Sequence, residues 1–174
     1  MTNDAMRCFL SEQTLTLHKR ELDTARAALS IYKKSLPYIK EKSISEIQKM
    51  RIPTDYKQTI LCKMRYIMLH EVYFSSFATS PILPKRLKEY YPSKEGFLFS
   101  LSEAVRGMRD GFLCLYKTKG APKISILNED SSALCLAPTL AVDISEHAYF
   151  LDYAFSRDKY LKGALERLNL DALF

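Results

Sequence analysis

Asp143 and His147 stand four residues apart, directly after the apolar run Leu140-Ala141-Val142, in the stretch Asp143-Ile-Ser-Glu146-His147-Ala-Tyr149. A carboxylate oxygen and an imidazole nitrogen together suit Fe, Mn or Zn, so this pair nominates a metal site. The histidine inventory sharpens the nomination. The chain has only His18, His70 and His147, and the first two fall on apolar faces of predicted helices. A neutral imidazole buried there needs partners for its ring nitrogens, and a metal ion supplies one. Taken singly, His18 and His70 also read as core histidines satisfied by ordinary hydrogen bonds.

Such a site needs elements that bring distant parts of the chain together. Ser11 is placed to cap a helix running to about residue 34, in which Leu15, His18, Leu22, Ala25 and Leu29 recur at steps of three and four. Pro37 marks a break, and a more polar helical piece covers Ser43 to Lys49. Pro53 and Thr54 open a second long helix reaching about residue 78, with Ile60, Ile67, His70, Phe74 and Phe77 as its stripe. Antiparallel pairing of the two long helices sends both imidazoles into one interior.

A connector around Pro81 and Pro84 leads to a short basic helix ending near Pro92 and a further helix over residues 94–109. Phe97, Leu101, Val105 and Met108 form the inward face of that helix, and Gly111 stops it. The periodicity then changes to alternation. Residues 112–118 and 123–127 read as strands around Lys119-Gly120-Ala121-Pro122, residues 138–144 as a third strand, and residues 146–154 and 157–169 as closing helices. The expected fold is α+β. An N-terminal antiparallel helical hairpin (1–82) precedes a C-terminal α/β domain (83–174) with mixed helices and a three-stranded antiparallel sheet.

At 174 residues and 47% hydrophobic composition, the chain can bury a sizeable core. No apolar run approaches the roughly 18–20 residues that span a bilayer, so no membrane partner is expected. The opening Met1 to Cys8 is too polar for a secretory signal. Cys8, Cys62, Cys114 and Cys135 form no CxxC pair and read as reduced thiols, which predicts a cytoplasmic protein. Charge is uneven: residues 1–92 carry 16 Lys+Arg against 9 Asp+Glu (+7), and residues 93–174 carry 10 against 11 (−1). A basic half raises the local concentration of a small anion, and it is also a solvated helix surface.

With a strand before it and a helix after it, Asp143-x-x-x-His147-Ala-Tyr149 resembles the signature of the iron/manganese superoxide dismutases. The similarity runs from about Leu10 to Leu170. It is strongest over Leu140–Tyr160, where Val142-Asp143, Glu146-His147-Ala-Tyr149, Asp152-Tyr153, Arg157 and Tyr160 match. Ser11-Glu12-x-Thr14-Leu15-x-x-His18 is similar to the segment that leads into the family's first metal histidine. His70 sits where the second is expected. The resemblance therefore implies His18, His70, Asp143 and His147 as metal ligands, one Fe or Mn per chain, and superoxide as substrate. It also implies a homodimer in which Glu146 supports the partner subunit's His147, gives Arg157 a gateway role, and implies no nucleic-acid partner. Three neutral imidazoles and one carboxylate leave such an ion net positive, with an open position.

The departures are informative. The family's tyrosine eight residues after the first ligand is Arg26 here, and its histidine four residues after that ligand is Leu22. The tyrosine that normally meets that histidine is Phe150, so both halves of one gateway hydrogen bond are replaced together. A tryptophan between the Asp and the Glu is Ser145, placed to cap the following helix. Tryptophans of the first strand are Phe112 and Cys114. The glutamine of iron-type members falls at Tyr66, and Asn128 stands for that of manganese-type members. Arg26, Tyr66 and Asn128 are thus the candidates for tuning catalysis around the cage. Changes around a metal's ligands typically cost about 10- to 100-fold, so slow turnover is expected. The alternative is a metal-binding or scaffold protein that uses its basic helices to contact RNA or protein.

Overall fold

The computed structural model describes residues 4–131 and 136–174, which leaves Cys135 outside the described residues. The fold is built on two long helices, α1 (Glu12–Ser35) and α3 (Thr54–Ser75), with the short α2 (Ile44–Lys49) between them. Ser11 caps α1 as its type demands: its Oγ accepts from the Thr14 N–H at 3.2 Å. Thr14, Leu15, His18, Leu22, Ala25 and Leu29 form the buried stripe of α1, which places His18 in the interior. In α3 the buried set is Ile60, Leu61, Arg65, Leu69, His70 and Tyr73, so His70 enters from the facing side. Two of the expected stripe residues, Ile67 and Phe74, are only half-buried.

α4 (Lys94–Ala104) ends five residues before the expected 109. Gly107 is responsible, because its φ of +80° takes the backbone into the left-handed region and breaks the helix before Gly111 is reached. Met108, expected inward, is 42% exposed as a result. Gly111 has a different task. Its φ is +112°, and a Cβ there would lie 2.9 Å from the Leu127 carbonyl oxygen. Only glycine lets the start of the sheet close in this way.

The sheet has strand order β2-β1-β3 and is antiparallel throughout, as expected. The strands are β1 (Phe112–Tyr116), β2 (Lys123–Leu127) and β3 (Leu140–Asp143). Phe112 to Leu115 are all buried, as a central strand covered on both faces requires. The pairing Phe112↔Asp143 and Leu113↔Val142 fixes where β3 ends, and therefore where the carboxylate lies. Ser76 locks β3 to the end of α3: its Oγ donates to the Val72 carbonyl at 2.7 Å and accepts the Ala141 N–H at 2.8 Å. Past β3 come a short 3-10 turn (Glu146–Ala148), α5 (Phe150–Tyr153) and α6 (Arg157–Glu166). α5 and α6 are separated at Ala154, whose φ is +46°.

The main core draws on both halves of the chain, with Leu15 and Leu69 from the hairpin, Phe97 and Leu101 from α4, Leu113 and Val142 from the sheet, and Leu165 from α6. Each such buried side chain stabilises the fold by about 1.5–3 kcal/mol relative to exposure. A second cluster, Leu29, Ile39, Ile44, Ile47, Ile52, Ile60 and Leu61, closes the far end of the hairpin. Among the described residues no helix is long and apolar enough to cross a membrane.

Candidate functional site

Four elements deliver one side chain each to a common point. α1 brings His18, α3 brings His70, the end of β3 brings Asp143, and the 3-10 turn after it brings His147. Three imidazole nitrogens converge on a single carboxylate oxygen. From Asp143 Oδ2, His147 Nε2 is 3.1 Å away, His18 Nε2 3.2 Å and His70 Nε2 3.7 Å. The four ligand atoms all lie within 4.8 Å of one another. Two donors bound to one ion at about 2.1 Å stand about 3 Å apart at right angles and about 4.2 Å apart when opposite. The three measured separations fall inside that range.

The hydrogen bonding of His70 gives an independent test of whether a cation fits. Its Nδ1–H donates to the Tyr66 carbonyl at 2.9 Å, which fixes the tautomer and leaves Nε2 with a bare lone pair. That lone pair is buried, has no hydrogen-bond partner among the described residues, and faces the lone pairs of Asp143 at 3.7 Å. Two buried acceptors held face to face cost free energy unless a cation lies between them. The donor set, three nitrogens and one carboxylate oxygen, suits Fe or Mn. These residues fit the ion that the sequence implies.

Asp143 is fully buried. Burial alone pushes its carboxyl up, but hydrogen bonds from His147 and His18, and the attraction of their rings, hold it well below the usual carboxylate range. Its second oxygen accepts the Ser145 N–H at 2.9 Å. Burial pushes His70 down to about 4, against the attraction of Asp143, so His70 is a neutral imidazole ready to ligate. His147 moves the other way. Burial lowers it, but the hydrogen bond to Asp143 and the Asp143 and Glu21 charges carry it up to about 9. The His147 side chain is 37% exposed, whereas those of His18, His70 and Asp143 are fully enclosed, so the cage opens on the His147 side.

Around the cage, Ser145 departs from the sequence reading, and the other candidate residues take the following places. Ser145 does not cap the following turn with its side chain. Its Oγ instead accepts the Gly111 N–H at 3.2 Å, because the chain reversal after β3 brings it against that backbone. Tyr66 packs against His70 with ring centroids 4.0 Å apart and planes tilted by 33°, and its hydroxyl donates to Glu21 Oε2 at 3.4 Å. Burial holds the Tyr66 phenol well above its ordinary value. Arg26 forms ion pairs with Glu71 at 2.8 Å and Asp23 at 3.2 Å. The side-chain oxygen of Asn128 accepts from Ser131 Oγ at 2.9 Å. Glu146 is exposed beside His147. Arg157 is half-buried, and one of its terminal nitrogens donates to the Met108 carbonyl.

One functional neighbour escaped the sequence. Glu21 approaches His147 Nε2 at 3.9 Å, and only the knowledge that residue 21 lies almost one turn after His18 could have raised it. His18 Nδ1 is buried and, among the described residues, has no hydrogen-bond partner to match the carbonyl anchor that orients His70.

A model of the C-terminal domain of iron/manganese superoxide dismutases matches residues 79–173, more than half of the chain. The chain is 22% identical to the protein named mitochondrial manganese superoxide dismutase of Aspergillus fumigatus over 184 residues, covering 95% of this chain and 83% of that protein. It is 32% identical over 95 residues to the protein of the same name from Drosophila melanogaster, covering 51% of this chain and 44% of that protein.

Proposed function

This chain belongs to the iron/manganese superoxide dismutase family, and from that membership we propose that it holds one Fe or Mn ion per chain and dismutes superoxide to oxygen and hydrogen peroxide. The observation that carries the reading is the convergence of three imidazole Nε2 atoms on Asp143 Oδ2, with His70 Nε2 left as a buried acceptor that a cation would satisfy. The bound ion supplies a one-electron couple that takes an electron from one superoxide and gives it to the next.

The chain's own residues set how well this proceeds. Tyr66 O orients His70, and the Ser145 N–H holds the Asp143 carboxylate. Peroxide formation consumes two protons, and the groups near the opening are poor at delivering them. Leu22 is buried and apolar, Phe150 carries no hydroxyl, and Arg26 is engaged by two carboxylates. Proton delivery therefore falls to solvent and to the Tyr66 hydroxyl, and we read the enzyme as slow. We also read it as a homodimer. The exposed edge of His147 and the exposed Glu146 are flanked by Phe150, Leu151 and Phe155 at 44%, 50% and 92% exposure, an apolar rim suited to a two-fold contact.

The test is a superoxide-consumption assay on protein whose metal content has been measured in the same sample. Dismutation above that of the free ion at equal metal concentration supports the reading. Metal-loaded protein with no such activity favours the alternative, a metal-binding or scaffold protein that contacts RNA or protein through its basic helices.

A further inference from the structure

A cleft of about 380 Å3 lies between α1 and α3, lined by Arg20, Glu21, Thr24, Ala25, Lys63 and Tyr66. Its inner wall is the outer wall of the cage. Tyr66 covers the His70 ring, and Glu21 Oε2 stands 3.9 Å from His147 Nε2, the one ligand with solvent exposure. Two cations, Arg20 and Lys63, flank the cleft and draw anions toward it. At the end of that approach stands a carboxylate. The Glu21 side chain is 46% exposed and so has room to turn, and the Tyr66 hydroxyl bonds the same oxygen that faces His147.

We propose that Glu21 is a specificity-determining gate: it competes with small anions for the exchangeable side of the metal centre and holds them off. The inference rests on the metal centre proposed above. Its geometric basis is that Glu21 Oε2 stands 3.9 Å from Nε2 of His147, the ligand on the open side of the cage, so its charge lies beside the route an anion takes. The negative charge also opposes an incoming monoanion at close range, where neither water nor salt screens it fully. Arg20 and Lys63 admit an anion to the cleft, and Glu21 decides whether it stays.

Azide titration of the iron-loaded protein, read by its absorption spectrum, tests this without an activity measurement. Glu21→Gln and Glu21→Ala should each bind azide about tenfold more tightly than the unsubstituted protein, at equal metal content. Asp23→Asn, which removes a carboxylate of the same helix that is paired with Arg26, should stay within about twofold. Lys63→Gln should weaken azide binding. Unchanged azide affinity in both Glu21 variants overturns the gate and leaves the metal centre standing. An equal gain in Asp23→Asn also overturns it, because the effect is then one of overall charge. An unsubstituted protein that takes up no metal overturns the metal centre and the gate together.

Discussion

The Tyr160 hydroxyl donates to the main-chain carbonyl of Asp143 across 2.7 Å, so α6 fixes the residue that carries the carboxylate. Tyr73 extends the link from α3, its hydroxyl 3.2 Å from that of Tyr160. All three groups are buried, and such a chain is costly to break. Tyr160→Phe should lower the free energy of unfolding by about 1–3 kcal/mol, because it strands a buried carbonyl and a buried hydroxyl. Tyr73→Phe leaves the Asp143 carbonyl satisfied and should cost about 0.5–1.5 kcal/mol. Denaturant titration of the two variants checks the order.

The two outlying histidine pKa values predict a pH optimum for the metal-free protein. His147 is raised from 6.5 to about 9, so its stabilising contribution is complete below 6.5 and is lost as pH rises through 9. His70 is lowered from 6.5 to about 4, so the unfolded chain takes up its proton first and stability falls between pH 6.5 and 4. Thermal unfolding of the metal-free protein should therefore peak near pH 6.5. Metal binding must displace the His147 proton, so the gain in Tm on loading should grow from pH 6.5 to 9.

Gly163 sets helix propensity against packing. An alanine in the middle of α6 would ordinarily stabilise by about 0.5–1 kcal/mol. Here the added Cβ meets Phe9 Cβ at 2.9 Å. Phe9 cannot yield easily, being 7% exposed and packed against the tilted Phe77 ring at 5.0 Å. Gly163→Ala should be net destabilising by about 1–3 kcal/mol, read as a drop in the denaturation midpoint.

Much of this was legible in the chain because local chemistry and tertiary need agree there. Ser11 caps as an N-cap serine should, the His18 stripe is buried as its spacing demands, and the alternation at Phe112 becomes the central strand. His18, His70, Asp143 and His147, which the family resemblance named, do come together in one cluster. Where the reading failed, a backbone or long-range condition decided. Gly107 takes a positive φ that ends α4 early, and Ser145 meets Gly111 across 34 positions of sequence. Glu21 was invisible for the same reason, since its meaning depends on Tyr66 and His147 arriving from elsewhere.

Arg26 offers a test of the slow-enzyme reading. Its ion pairs with Glu71 and Asp23 are solvent-exposed, so Arg26→Tyr should change stability by no more than about 1 kcal/mol. Restoring a hydroxyl there should raise dismutation per bound metal ion while leaving metal content unchanged. Equal activity per ion in the two proteins would place the limiting step elsewhere.

We propose above that His18, His70, Asp143 and His147 hold one redox metal ion. Elemental analysis of the purified chain beside His70→Ala tests it most directly, with circular dichroism to confirm that both are folded. The unsubstituted protein should carry close to one Fe or Mn per chain and the variant close to none, because it lacks one of the four proposed protein ligands. Full occupancy in His70→Ala, or an unsubstituted chain that stays empty after exposure to both metals, would contradict it.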